Sequence, residues 1–241
     1  VISAGSVDCQ HLGPAHWAML QFNQGTVGFF EPVSLYFRAN ASGGGHWQER
    51  NDVNDGAWSD LPRYARGVLR PRVYWDGGGG RTFFATTGVT IEDREGGTAA
   101  DGVPLVTNGP YRERLDTRRF DVGAVGQMPI RQRYIVTARA AFAQQRHTHA
   151  FGEIVERDRH DFAFGEVTLR GAAGRHAWAA GAAVERDVYA HKNFPQFAHR
   201  FTIPGVFVQG DVEVTKWLSL GASGRLDHHS EYETFLSPAL A

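Results

Sequence analysis

The stretch that decides the fold is Arg133–Gln145, "RYIVTARAAFAQQ". Tyr134, Val136, Ala138, Ala140 and Phe142 fall on one side of a period of two, against Arg133, Thr137, Arg139 and Gln145. A helix of period 3.6 would scatter these residues around its axis, whereas a strand sorts them onto two faces. The next apolar segment, "HDFAFGEVTLRG" (160–171), alternates Ala163, Gly165, Val167 and Leu169 with His160, Glu166, Thr168 and Arg170.

Working outward, the same scheme recurs. "YARGVLRPRVYW" (64–75) sets Ala65, Gly67, Leu69, Pro71, Val73 and Trp75 against Arg66, Arg70 and Arg72. "RTFFATTGVTIED" (81–93), "RFDVGAVGQM" (119–128), "HAWAAGAAVERDVY" (176–189), "GVFVQGDVEV" (205–214) and "KWLSLGASGRLD" (216–227) repeat it. Eight strands of about 10–13 residues follow, with "VSLYFRAN" (33–40) as a ninth. Ordinary strands average about 5–6 residues, and strands twice as long match what a tilted crossing of a bilayer needs. Residues 1–32 carry no such pattern, so the chain divides into an unpatterned segment 1–32 and a β domain 33–241.

Connections come in two sizes. "DGGGG" (76–80), "MPIRQ" (128–132), "GAAG" (171–174) and "VTK" (214–216) are short; 41–62, 93–115, 146–159 and 189–200 read as long polar loops. Strict alternation of short and long turns is the pattern of a membrane barrel with tight turns on one side and loops on the other. An apolar face toward lipid leaves the opposite face free to carry Arg66, Arg70, Arg72, Arg139, Glu166 and Asp187 in water. Trp75, Tyr134, Trp178 and Trp217 stand near strand ends, where an aromatic girdle belongs.

Composition is consistent with β architecture: 29 Gly, 12% aromatics, one cysteine (Cys9), and so no internal disulfide. The formal net charge of −1 supplies no basic surface for nucleic acid. No apolar run approaches the ~20 residues of a membrane helix. The opening "VISAGSVDCQ" has neither initiator Met nor leader pattern and reads as an interior cut.

The C-terminal run "FTIPGVFVQGDVEVTKWLSLGASGRLDHHSEYETFLSP" (201–238) resembles the barrels of TonB-dependent outer-membrane receptors. Phe207, Gln209, Arg225, Asp227, Ser230, Tyr232, Phe235, Ser237 and Pro238 match the pattern; Gly210, Glu233 and Ala239 depart from it. "EDREGGT", "RERLDTRR" and "HTHAFGEIVERDRHDFAFGEVTLRG" are similar to other segments of such receptors. The resemblance implies an all-β, antiparallel, up-and-down transmembrane barrel, here incomplete: 8–10 strands of a barrel of about 22. It implies capture and import of a scarce solute such as a ferric siderophore or cobalamin, with outer-membrane lipid and the TonB complex as partners, no nucleic acid, and no chemistry on the ligand. The plug and TonB box through which such receptors meet TonB have no counterpart in these residues.

Candidate ligand-binding side chains are Arg66, Arg70 and Arg72, whose guanidinium groups suit carboxylate or phosphate, and His147, His149 and His160 in "RHTHAFGEIVERDRHD" (146–161). The alternative for the arginines is ion pairing with acids on neighbouring strands such as Glu92, and for the histidines a charged loop rather than a metal site. "HHSEY" (228–232) is similarly ambiguous, and "NDVNDGAWSD" (51–60) reads as an Asx-rich turn rather than a calcium loop. No Ser-His-Asp set can be assembled, no cofactor motif is present, and "DGGGGR" precedes no helix. Two further readings stand: a small complete outer-membrane barrel with hydrolase activity, and a soluble β-sandwich binding module.

Overall fold

The structure, a computed structural model, describes residues 3–4, 8–12, 15–27, 36–54, 56, 58–98, 111–131 and 133–240, with side chains from residue 38 onward. Short strands β1 (Ser3–Ala4) and β2 (Asp8–Leu12) both pair with β3 (Ala15–Val27). Ten strands then follow in an unbroken antiparallel meander: β4 (Tyr36–Gln48), β5 (Arg63–Asp76), β6 (Thr82–Gly97), β7 (Arg112–Ile130), β8 (Tyr134–Phe151), β9 (Ile154–Ala173), β10 (His176–His191), β11 (His199–Thr215), β12 (Leu218–His229) and β13 (Glu233–Leu240). Each pairs with its sequence neighbour, and β13 pairs with β12 alone among the described residues. The sheet is open.

It is also a single layer. Among the described residues Ala183, 8% exposed, is the one buried hydrophobic side chain. Leu69, Ile91, Val167, Val206 and Val208 on the apolar face are all more than half exposed. A β-sandwich would cover that face with a second sheet about 10 Å away, so the sandwich reading is overturned.

Two corrections concern the strands and loops. The strands run longer than the hydropathy suggested, 16 to 20 residues from β6 through β11. The supposed long loop 146–159 does not exist: β8 and β9 pair down to Phe151 and Ile154 around the two-residue turn Gly152–Glu153. Likewise β4 continues through Gln48, β6 through Gly97 and β10 through His191, which shortens the other three loops. Beyond the apolar zone both faces are polar, so hydropathy stops alternating. The hydrogen-bond ladder continues regardless, because it joins backbone groups.

On the apolar face, each strand has a last apolar residue before its first charged or imidazole side chain toward the long-loop end: Ile91 on β6, Phe120 on β7, Phe142 on β8, Ala163 on β9, Val184 on β10, Pro204 on β11 and Leu226 on β12. These residues do not lie on one ladder row. Ile91 faces Arg118, whereas Leu226 connects through Val206, Ala182, Val167 and Ala138 to Gly126. The edge therefore descends eight residues of β7, from 118 to 126, in crossing six interstrand spacings. At ~3.4 Å per residue and ~4.8 Å per strand, that is about 27 Å against about 29 Å, a slope near 43°.

The turn rim shifts in the same direction. Asp76 and Thr82 end their ladder level with Gln127, whereas Ile130 and Tyr134 pair three residues further down. The apolar band is thus oblique to the ladder at the 35–45° tilt of strands in membrane barrels. Along β7 it runs from Phe120 to Ile130, ten residues or about 34 Å, and at that tilt it is about 25 Å tall, the height of a barrel's lipid band.

Aromatics mark its lower edge. Tyr134 and Trp178, two strands apart on one ladder row through Gly171, place their ring centroids 6.0 Å apart. A Cβ on Gly171 would sit 2.9 Å from Tyr134 Cδ1 and 3.0 Å from Trp178 Cε2, so the rings lie over a position without a side chain.

Candidate functional site

The opposite, polar face has two tiers. The lower tier, level with the apolar band, is a set of ion pairs within one strand, between adjacent strands, or across an intervening one. Arg70 Nη2 donates to Asp121 Oδ1 at 3.1 Å, and Arg119 Nε approaches the same oxygen at 3.5 Å. Glu166, 8% exposed, accepts from Arg139 Nε at 2.8 Å and from Thr168 Oγ1 at 3.0 Å. Arg225 grips Asp227 with two hydrogen bonds, 2.7 and 2.8 Å, and its guanidinium lies 5.9 Å from the Phe207 ring centre. These pairs neutralise charge within the wall and hold rigid side-chain positions.

The upper tier lies beyond the apolar band, toward the long-loop end. Its organising row runs Arg66, Glu92, Thr117, His147, Asp158, His191 across β5 to β10. The adjacent row brings Gln145, His160, Tyr189 and His199 together across β8 to β11. Asp187 is shared: His160 Nε2 and His199 Nε2 stand 2.9 and 3.2 Å from its Oδ1. His147 Nδ1 lies 3.1 Å from Asp158 Oδ1, and His149 Nε2 lies 2.9 Å from Glu113 Oε1.

An aromatic chain crosses the same region. Tyr189 stacks on His199 at 5.5 Å, His199 on Phe201 at 4.6 Å, and Phe201 meets His229 at 4.9 Å, with Tyr232 4.6 Å beyond. Burial first, then the charges of Asp158 and Glu156, push the Tyr189 phenol above its ordinary value, so it stays a neutral hydrogen-bond donor. A surface that combines flat rings, neutral or cationic imidazoles and anchored carboxylates can grip a ligand with both aromatic and polar parts.

All six sequence candidates lie on this one face, which follows from their even spacing along paired strands. They do not form one site. Arg66 is 3.9 Å from Glu92 and Arg70 is paired with Asp121, as the ion-pair alternative expected, while Arg72, beside Asn40 in the ladder, has no ion pair among the described residues. His147 and His149 engage different strands, and among the described residues no group of three or more His, Cys, Asp or Glu is arranged to hold a metal ion. The segment 146–161 is a paired hairpin, so its reading as a charged loop is corrected.

His228 and His229 point to opposite faces, His228 toward Thr234 Oγ1 and His229 accepting from the Glu231 and Tyr232 amides. In 51–60 the Gly56 amide donates to Asp52 and Asn54, an Asx-rich turn as expected. Sequence reasoning missed Tyr189, His191, His199 and Phe201. Their signal, a His or aromatic residue at alternate positions in 189–191 and again in 197–201, is interrupted by Asn193 and Pro195 in the loop 192–198.

No family model matches this sequence, and no curated protein matches it. Among solved structures, the siderophore receptor PirA from Pseudomonas aeruginosa superposes with a TM-score of 0.62 at 15% identity, over 94% of this chain and 36% of that one. The β domain of the Bordetella autotransporter BrkA aligns at TM-score 0.34 and 10% identity, over 94% of this chain and 86% of that one. This chain spans about a third of the receptor it matches. What it shares with that receptor is the fold: ten consecutive antiparallel up-and-down strands in an open sheet, matching part of that receptor's barrel.

Proposed function

We propose that this chain is a stretch of wall from an outer-membrane, TonB-dependent receptor, residues 33–241 forming the barrel portion and residues 1–32 preceding it. The apolar face meets lipid, and the polar face lines a wet lumen. The upper tier, including His147, His149, His160 and the Arg66 row, contributes to capture of a scarce solute such as a ferric siderophore or cobalamin. Arg70 and Arg72 lie deeper along the path. The protein binds and passes its ligand without chemistry on it; energy coupling belongs to a plug domain and its TonB partner.

The observation that carries this reading is the slope of the apolar band. A soluble sheet has no reason to tilt its hydrophobic belt about 43° across seven strands, and a bilayer imposes that tilt on a barrel. The hydrolase alternative needs a closed small barrel, and among the described residues no ladder joins β13 to β1, β2 or β3.

The test is membrane fractionation of the full-length protein followed by ligand titration. The protein should resist carbonate extraction from outer membranes, and ferric siderophores or cobalamin should quench its tryptophan fluorescence saturably. Release by carbonate would overturn the membrane reading. Retention without saturable binding of any such solute would overturn the receptor reading alone.

A further inference from the structure

Just past the band edge, on the apolar-face side, the strands β7 to β11 each carry an arginine: Arg118, Arg146, Arg159, Arg186 and Arg200. All five are exposed, and each stands two or four residues beyond the band-edge residue of its strand. The register sharpens the arrangement. Arg118 is directly opposite Arg146, and Arg146 is directly opposite Arg159. Like charges facing each other across a ladder repel, because opposed Cβ atoms are only ~5 Å apart.

The protein supplies little to offset this. Arg159 Nε meets Asp161 at 2.7 Å, but Arg118, Arg146, Arg186 and Arg200 have no ion pair among the described residues. The neighbouring sector is built differently. Arg63, Arg112 and Arg114, on the same face of β5 and β7, each have Asp93 or Glu95 within 4.0 Å. Balanced charge therefore gives way to unbalanced positive charge over β7–β11, within four residues of the band edge.

We propose that this arginine belt is a binding site for the phosphate groups of lipid headgroups. Its position selects the ligand. Alkyl chains would lie along Phe120, Phe142 and Val184 while the phosphate reaches the guanidinium row directly above them. Guanidinium binds phosphate through paired N–H donors, and one phosphate bridging two opposed arginines removes their mutual repulsion. This inference rests on the lipid-facing reading of the apolar face.

The test uses the full-length protein in detergent, with native mass spectrometry during titration by phosphatidic acid or phosphatidylcholine. Wild type should retain phosphatidic acid preferentially, even in excess inorganic phosphate. Replacing Arg118, Arg146 and Arg159 together by Gln should reduce that preference by about a hundredfold. Replacing the paired Arg63 and Arg114 by Gln should leave it intact, and Lys at the three belt positions should restore part of it in a folded, heat-modifiable barrel. An unchanged preference in the triple Gln variant would overturn the proposal. Complete displacement by inorganic phosphate would reassign the belt to free anions and overturn the lipid assignment. Carbonate extraction of the protein from membranes is read separately, so a failure of the membrane reading is distinguishable from a failure of the belt.

Discussion

Glu233 adopts φ = +73° at the start of β13, directly opposite His229 on β12. It stands where receptors of the resembled family carry glycine, and the left-handed region costs a residue with a Cβ about 1–2 kcal/mol. Glu233→Gly should therefore stabilise the folded barrel by about 1 kcal/mol, read as a higher urea midpoint. Glu233→Ala keeps the Cβ and should recover none of that gain.

Val167 lies mid-band on the apolar face and is 54% exposed, one residue from Thr168 on the polar face. If lipid covers the first and water the second, Val167→Arg should cost about 2–4 kcal/mol of folding stability in bilayers, and Thr168→Arg well under half of that. Equal costs at the two positions would contradict the lipid assignment.

Gly181 sits beneath the Phe207 ring. An added Cβ would lie 2.5 Å from Phe207 Cζ and 2.6 Å from the backbone carbonyl oxygen of Val167. The ring can swing aside, but the carbonyl belongs to the β9–β10 ladder. Gly181→Ala should destabilise by about 1–3 kcal/mol, with Phe207→Ala relieving only part of the loss in a double-mutant cycle.

Glu166 accepts charge-assisted hydrogen bonds from Arg139 across β8–β9 and is nearly shielded from solvent. Arg139 is more than half exposed, which weakens the pair by screening. Glu166→Gln should cost about 1–2 kcal/mol, measured by denaturation in detergent, and leave ligand titration unchanged.

Tyr189 has its phenol raised above the ordinary value, so above about pH 10 the unfolded chain loses this proton first. The unfolded state then binds fewer protons than the folded one, and stability falls as pH rises through that window. Tyr189→Phe should flatten the alkaline limb of the stability profile, and wild-type and variant curves that coincide above pH 10 would refute the assignment.

The two faces were legible from residues alone, because successive side chains of a strand point to opposite sides whatever the strand pairs with. Tyr134, Val136, Ala138, Ala140 and Phe142 needed no tertiary information to be placed together, and neither did Arg66, Arg70 and Arg72. Strand ends were not legible. "RHTHAFGEIVERDRH" is as polar as a loop, yet its backbone groups are satisfied by ladder bonds that hydropathy does not record.

Only the three-dimensional pairing decided which residues share a row. Register set the slope of the apolar belt, joined Arg118 to Arg146 and Arg159, and brought Tyr189, His199, Phe201 and His229 into one aromatic chain across three strands. Alternation is a local property of an extended chain, whereas register arises between strands, and a shift of two residues would preserve every face while changing every neighbour.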